Sequence, residues 1–427
     1  MSKAYETITA GLNSFDPDER RLSVEASVKF GDREEIVDKL LELLNDEDKG
    51  VRDAVANSIV SIANEFETSK KRIISQICKL ILRKDVGFRN FLVEIILRIG
   101  KDAIPDIKQL ANHEDKDVRK IAIDIIGFIG DKDSVDFLME KLSDPDPNVI
   151  TSAIEAIGNI GDDRAIEVLL DSFSKFEFAQ IQIIESLGKI GEKSKNKKLI
   201  CDFLIEIFRK SEEPILKSAI VEALGKAGDE SYADFLMGLV HDKNIAIQKM
   251  AVISLIEVCA RANCKFNANK YFFKSFFKRA VEIFFETDDL KFKTNFLDFI
   301  SKWIEFNEVK GLIIALADQN EPIFEKVAEI ISVNAKELIK FSLENEVKPE
   351  NFISLVESAF LNANKIFEDV EFKRAVVDKL SELFEIVDMD MKVVILNLLS
   401  SLDAVEYDKN FQKVQDDPVF KLYFGMA

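Results

Sequence analysis

The 427-residue sequence predicts an all-α fold, a right-handed solenoid (superhelix) of stacked antiparallel helix pairs, about 12 repeats in all. Three observations carry that expectation. A short motif recurs at near-constant intervals, apolar residues fall at helical spacing around it, and helix breakers are scarce, with 16 Gly and 8 Pro.

The recurring motif is Ile-Gly, at 99–100, 129–130, 160–161 and 190–191, with Phe30-Gly31 and Ala227-Gly228 as variants. Ala63 and Cys259 stand where two more would fall, and successive intervals are 32, 37, 30, 31, 30, 37 and 31 residues. Setting position 0 twelve residues earlier gives Glu19, Val51, Phe88, Val118, Val149, Ala179, Leu216 and Ile247. Positions +4, +8 and +11 then line up as apolar columns, for example Val55, Ile59 and Ile62 or Ala153, Ile157 and Ile160. Spacings of 0, 4, 8 and 11 trace one face of an α-helix, the second helix of each pair. The Gly after +11 is expected to end that helix through a positive φ.

Four repeats place Gly at +9: Gly127, Gly158, Gly188 and Gly225. A mid-helix Gly costs about 1 kcal/mol against Ala, so close approach of a neighbouring helix is the expected reason. First helices are expected at Glu34 to Leu44, Ser134 to Leu142, Arg164 to Phe173 and Tyr232 to Val240. Position −3 is Asp16, Asp48, Asp85, Asp115 and Asp146, where a carboxylate can accept the free N–H groups of the following helix. Position +1 is Arg20, Arg52, Arg89 and Arg119 in the first four repeats.

Asp-x-x-Val-Arg at Asp48–Arg52 and Asp115–Arg119, with Ile-Gly-Asp at 129–131 and 160–162, resembles HEAT repeats of the phycobilin-lyase-like subclass. The resemblance covers roughly residues 12–260. It implies that Asp16, Asp48, Asp85 and Asp115 form a hydrogen-bonded ladder with Arg20, Arg52, Arg89 and Arg119 between repeats. From Val149 onward the Arg is replaced by Ile150, Gln180, Lys217 and Gln248. HEAT arrays serve as scaffolds, adaptors and, rarely, enzymes.

Composition shifts near residue 260. Phe numbers 21 in residues 261–427 against 13 before, while Gly falls from 14 to 2. The domain reading is therefore 1–260, a regular array of about eight repeats, and 261–427, divergent Phe-rich repeats that continue or cap it. A separate helical domain is the alternative. Phe292, Phe296, Ile300 and Trp303 keep the spacing, as do Ile323, Val327 and Ile331, and Met391, Ile395, Leu399 and Leu402. Asp289 and Asp388 stand at −3.

Chemistry is sparse. Two histidines, His113 and His241, sit in turns before helices, whereas HEAT-like hydroxylases hold iron with several His-Glu pairs. Cys259-x4-Cys264 lacks a second ligand pair for zinc, and P-loop, G-x-S-x-G and H-E-x-x-H motifs are absent. No catalytic residue, metal or cofactor is expected. Cys78, Cys201, Cys259 and Cys264 read as thiols of a reducing compartment, and with no secretory signal or membrane span visible the expected location is cytoplasmic. A net charge of −19 disfavours nucleic acid and favours basic protein segments.

Two partner surfaces stand out. Position +6 holds Glu25, Asn57, Glu94, Asp124, Glu155, Glu185 and Glu222, and position +10 supplies Lys29, Arg98, Lys189 and Lys226 as helical counter-ions. Asp124 and Glu155 are followed instead by Phe128 and Asn159, so a basic or amphipathic segment is expected at Glu94, Asp124, Phe128, Glu155, Asn159, Glu185 and Glu222. An ordinary solvated helix face is the competing reading. The segment 261–281 combines Arg261, Lys265, Lys270, Lys274, Lys278 and Arg279 with six aromatics and no acid. It reads as core helix, with an anionic membrane or RNA as the alternative ligand. The chain is thus expected to be a non-catalytic interaction scaffold or regulatory adaptor with a curved acidic groove. An accessory subunit of an enzyme or signalling complex, such as a lyase-like chaperone subunit, is the second reading.

Overall fold

The repeat columns fold as expected into the second helix of each pair. The computed structural model describes residues 3–82, 85–262, 270–305, 307–317, 323–402, 404, 406–415 and 417, with side chains except at 270–275 and 406. Cys264 lies outside the described residues. All regular structure among the described residues is helical, without a strand. The chain divides into two units, Met1–Gly228 and Asp229–Ala427. The compositional shift near residue 260 falls inside the second.

In the first unit the second helices are Pro17–Ser27, Lys49–Glu65, Val86–Ile99, Lys116–Ile129, Pro147–Ile160, Gln180–Lys193 and Pro214–Ala227. Each is preceded by a first helix, the early ones being Lys3–Gly11, Glu34–Leu43 and Glu67–Ile81. Where the sequence predicts first helices at 134 and 164, a 3₁₀ turn comes first and the α-helices are Val135–Glu140 and Ile166–Lys175. The 0, 4, 8 and 11 residues are the core. Val51, Val55, Ile59 and Ile62 are fully buried, as are Val149, Ala153 and Ile157. Burying such a side chain contributes about 1.5–3 kcal/mol. The first repeat is the exception, with Glu19 and Ser23 in the stripe and buried Ser27 donating to the Val24 carbonyl at 2.7 Å.

Caps begin these helices. Asp16, Asp48, Asp85, Asp115 and Asp146 each accept a backbone N–H of their own first turn, at 3.0, 3.0, 2.7, 2.8 and 2.9 Å respectively. The terminating glycines split into two kinds. Gly100, Gly130 and Gly161 have φ of +78°, +71° and +69°, as a helix stop requires. Gly31 and Gly228 do not, at −65° and −69°, and Gly191 lies inside a helix that runs on to Lys193. The expectation of a uniform left-handed stop is corrected there. A Cβ on Gly191 would stand 2.3 Å from Ala227 Cβ, so that glycine answers to packing rather than to φ.

Three of the +9 glycines, Gly127, Gly158 and Gly188, are contact points between consecutive second helices. A Cβ on Gly127 would lie 2.7 Å from Ala156 Cα, one on Gly158 2.8 Å from Ser186 Cα, and one on Gly188 3.0 Å from Ala223 Cα. Ala156, Ser186 and Ala223 all stand at +7, so one small-residue pair sets the backbone approach at each step. Ser186 uses its hydroxyl across the same contact, donating to the Ile154 carbonyl at 2.9 Å.

Two of the four arginines, Arg20 and Arg119, bridge to the next repeat, and to a different carboxylate. Arg20 Nε and Nη2 donate to the two oxygens of Asp46 at 2.9 and 2.8 Å, and Arg119 does the same to Asp144 at 2.8 Å each. The remaining Nη1 of each caps its own turn, at Ser14 and Phe15 or His113 and Glu114 carbonyls. Arg52 makes the same turn contacts, to Asp46 and Glu47 carbonyls, and Arg89 is half-buried on its helix. Asp16, Asp48, Asp85 and Asp115 are therefore not the rungs, because their carboxylates face their own helix starts. The rung position is −5, in the turn of the next repeat. It is Asp in front of Arg20 and Arg119 and His113 in front of Arg89, while in front of Arg52 it lies outside the described residues.

In the second unit Ile245–Arg261, Leu290–Ser301, Phe324–Glu344, Val370–Leu383 and Glu406–Val414 pack in succession as one row. Asn307–Leu316, Pro349–Ala363 and Met389–Ser401 form the other. Phe372, Val376, Leu380 and Leu383 are buried at 0, 4, 8 and 11, and Asp369 caps Phe372 N–H at 3.1 Å. The pattern at Met391 has the same spacing and an Asp388 cap but belongs to the other row, so it does not continue the series of Phe292 and Ile323. Phenylalanine fills this core. Phe276 meets Phe299 edge-on at 5.5 Å, and Phe284 meets Phe296 at 5.4 Å.

Two outcomes are expected. Gly158→Ala forces Ser186 backbone aside and should cost about 1–3 kcal/mol in urea unfolding, whereas Gly311→Ala, with nothing within 4 Å of the new Cβ, should stabilise by about 0.5–1 kcal/mol. Acid supplies the other. Burial works to raise the Asp46 and Asp144 carboxyls, but Arg20 and Arg119 with the backbone N–H groups of Asp48 and Asp146 outweigh it and hold both below the usual range. The folded chain thus binds fewer protons than the unfolded one. This stabilisation is whole above the ordinary aspartate value of about 3.9 and is lost as pH falls through the lowered one. Arg119→Met should cost roughly 3 kcal/mol at neutral pH and flatten that acid loss, read from urea midpoints at successive pH values.

Candidate functional site

The solvent face of the second helices in the first unit is built by positions +6 and +10, opposite the buried stripe. On an isolated helix, Glu25, Glu94, Glu185 and Glu222 would pair with Lys29, Arg98, Lys189 and Lys226 one turn on. Only the last pair forms, with Lys226 Nζ 2.6 Å from Glu222. Lys29 lies over the Phe30 ring, Arg98 donates to Asn57 Oδ1 at 2.9 Å, and Lys189 donates to Asn159 Oδ1 at 2.9 Å. The last two reach back to the preceding second helix. The close helix spacing lets a +10 side chain choose an amide across the groove over a carboxylate on its own helix.

The sequence expectation for Asp124 is corrected. Its counter-ion lies one turn before it, Lys120 at 2.8 Å. Glu155 has no cation on either side, since Thr151 precedes it and Asn159 follows, and Thr151 donates to the Pro147 carbonyl. Among the described residues, no base lies within ion-pair distance of Glu25, Glu94, Glu155 or Glu185. Glu94 and Glu155 are exposed and Glu185 is half-buried. Phe128, at +10 of the repeat between Arg98 and Asn159, is 68% exposed. The face therefore offers separated negative charges around one bare aromatic ring. Asn159 is occupied by Lys189, and Asp124 and Glu222 are neutralised.

Of the other sequence candidates, His113 and the buried cysteines take structural places. Of the basic-aromatic segment 261–281, residues 263–269, with Lys265 and Phe266, lie outside the described residues. Lys270 opens the helix Lys270–Glu286, on which Phe276 and Phe277 are buried and Arg279 pairs with Glu282 at 2.8 Å. His113 Nδ1 accepts the Asp115 N–H at 3.0 Å, a turn role. Cys78, Cys201 and Cys259 are buried, and burial pushes the Cys78 thiol up to about 12, where it stays protonated. Among the described residues no group of three His, Cys, Asp or Glu is placed to hold a metal ion, and no helix is long and apolar enough to cross a membrane.

Sequence reasoning missed Asp46 and Asp144. Their signal was present, an acid five residues before position 0 of the repeat following an Arg.

No curated protein matches the sequence. Among solved structures, importin beta in an ammonium sulfate condition aligns with a TM-score of 0.51 at 11% identity, over 98% of this chain and 65% of that one. Importin beta in a polyethylene glycol condition aligns at 0.48 and 10%, over 98% and 68%. The chain thus spans about two thirds of the length of either, and the likeness is one of fold. Family models for the HEAT repeat match residues 36–66, and for HEAT repeats 104–188 and 201–264. These describe HEAT repeats at large, and the phycobilin-lyase-like subclass rests on the sequence motif alone. Paired helices in register, capped and bonded from one repeat to the next, agree with those matches: the chain is a HEAT-repeat protein.

Proposed function

We propose that this protein is an interaction scaffold whose first unit binds a basic, amphipathic segment of a partner protein along the second-helix face. The observation that supports the reading is the uncompensated charge of Glu94, Glu155 and Glu185 beside exposed Phe128, while the cations that could neutralise them bond to Asn57 and Asn159. A partner's lysines or arginines gain ion pairs that the chain itself leaves unmade, and an apolar partner residue covers the Phe128 ring. Charge alone makes a weak contact, since exposed pairs contribute about 0.2–1 kcal/mol each. The aromatic ring supplies the burial that charge cannot. The overall excess of acid, 77 side chains against 58 basic, steers such a segment toward the molecule.

The test uses the full chain and a fluorescent amphipathic peptide of Lys and Leu. Glu155→Lys combined with Glu185→Lys is expected to weaken binding at least tenfold, about 1.4 kcal/mol, with unchanged circular dichroism. Phe128→Ser should weaken it further with little effect on the salt dependence. Equal affinity of the charge-reversed and parent proteins would remove the acidic face from consideration.

A further inference from the structure

A second surface of opposite sign opens where the second helices Pro147–Ile160 and Gln180–Lys193 end. A crevice of about 600 Å³ lies there, lined by Lys132, Lys189, Lys193 and Lys195, by Asp162, Asp163 and Glu192, and by Asn159 and the backbone of Gly158–Gly161. Two of the four residues in that backbone stretch lack a side chain, which leaves the floor bare. Gly158 is required by the contact with Ser186 and Gly161 by its φ of +69°, so packing and helix termination create the space.

The acids of the lining are partly engaged elsewhere, although Lys132 also acts on Asp162. Asp162 is held by Arg164 at 3.0 Å, which keeps its carboxyl below the usual range, and Asp163 accepts from Asn196 at 3.2 Å. Glu192 is exposed. Among the described residues, no carboxylate stands within ion-pair distance of any of the four ammonium groups, and Lys189 is bonded only to neutral Asn159. Lys197 and Lys198 follow immediately in the chain. Four lysines against three acids, one of them already held by Arg164, thus leave the crevice with an excess of positive charge in a unit with 34 basic against 43 acidic side chains.

We infer that this crevice binds a short acidic peptide segment, two or three clustered Asp or Glu side chains of a protein partner. The volume suits that many carboxylates and no more. The acidic surface around it repels a long polyanion whose charges continue beyond the crevice, and no aromatic side chain lines it for base stacking, so nucleic acid fits poorly. Lysine ammonium groups on flexible stems accept carboxylates in varied geometry, where a fork of arginine would demand one. This inference does not depend on the acidic face: the two share the Lys189–Asn159 contact, but the charged groups that would bind each ligand differ and the ligands are of opposite charge.

Fluorescence anisotropy with the full chain decides it, using a labelled peptide of four consecutive Glu between Gly-Ser spacers. The parent protein is expected to bind it in a salt-sensitive manner, and Lys132→Gln, Lys193→Gln and Lys195→Gln together should weaken binding at least tenfold without shifting the melting temperature. The Glu155→Lys, Glu185→Lys protein should bind it as well as the parent or better. Parent binding no stronger than to a Gly-Ser peptide, an unaffected triple variant, or preference for a single-stranded RNA oligonucleotide over the acidic peptide would each overturn the inference.

Discussion

The approach of consecutive second helices at small-residue contacts sets the geometry of the first unit from Lys116 to Ala227. Gly127 on Ala156, Gly158 on Ser186 and Gly188 on Ala223 bring main chains to a distance that a single added Cβ would violate. Such contacts are not bought with hydrophobic area, since Gly has none to bury. They cost helix propensity, about 1 kcal/mol each, and return it through the tighter seating of the apolar stripes on either side, where Ala153, Ile157, Ile183 and Leu187 are fully buried.

That spacing also decides the electrostatics of the outer face. On an isolated helix the i,i+4 partner is the nearest counter-ion, and Lys226 with Glu222 follows that rule. Where a neighbouring helix lies close, an amide across the groove competes for the cation, as Asn159 does for Lys189 and Asn57 for Arg98. The energy difference is small either way. The consequence is not, because each cation drawn across the groove leaves a glutamate with its full charge at the surface. Packing and surface charge are linked through the reach of one side chain.

The fold was legible because its rules are local and repeated. Columns at 0, 4, 8 and 11 need only a helix and a core, and Asp at −3 needs only a helix start, so both read directly from the sequence. The ladder was half legible. Arg20 and Arg119 were identified, but Asp16, Asp48, Asp85 and Asp115 share the turn with the true acceptors, and two residues of register separate a cap from a rung. The second unit was harder, since bulky Phe replaced the Gly columns and the same spacing occurs in both rows of helices, at Phe372 and at Met391. The site was least legible. A counter-ion for Asp124 lay four residues upstream, and the fates of Arg98 and Lys189 depended on a neighbouring helix that a helical wheel does not contain.

Acidic and basic surfaces can work side by side on one unit because the range of each is short. At physiological ionic strength exposed charges are screened over about 8 Å, so a ligand lying in the crevice senses Lys193 and Lys195 more strongly than a glutamate two helices away. The net charge of the molecule governs approach from a distance, and the local arrangement governs what stays. The glycine that brings the helices together at Ser186 also leaves the crevice floor bare, and the same helix ends carry the lysines that suit their exposed carbonyls. A cationic recess in an acidic repeat array is thus what close packing and helix termination produce where a lysine-rich turn follows.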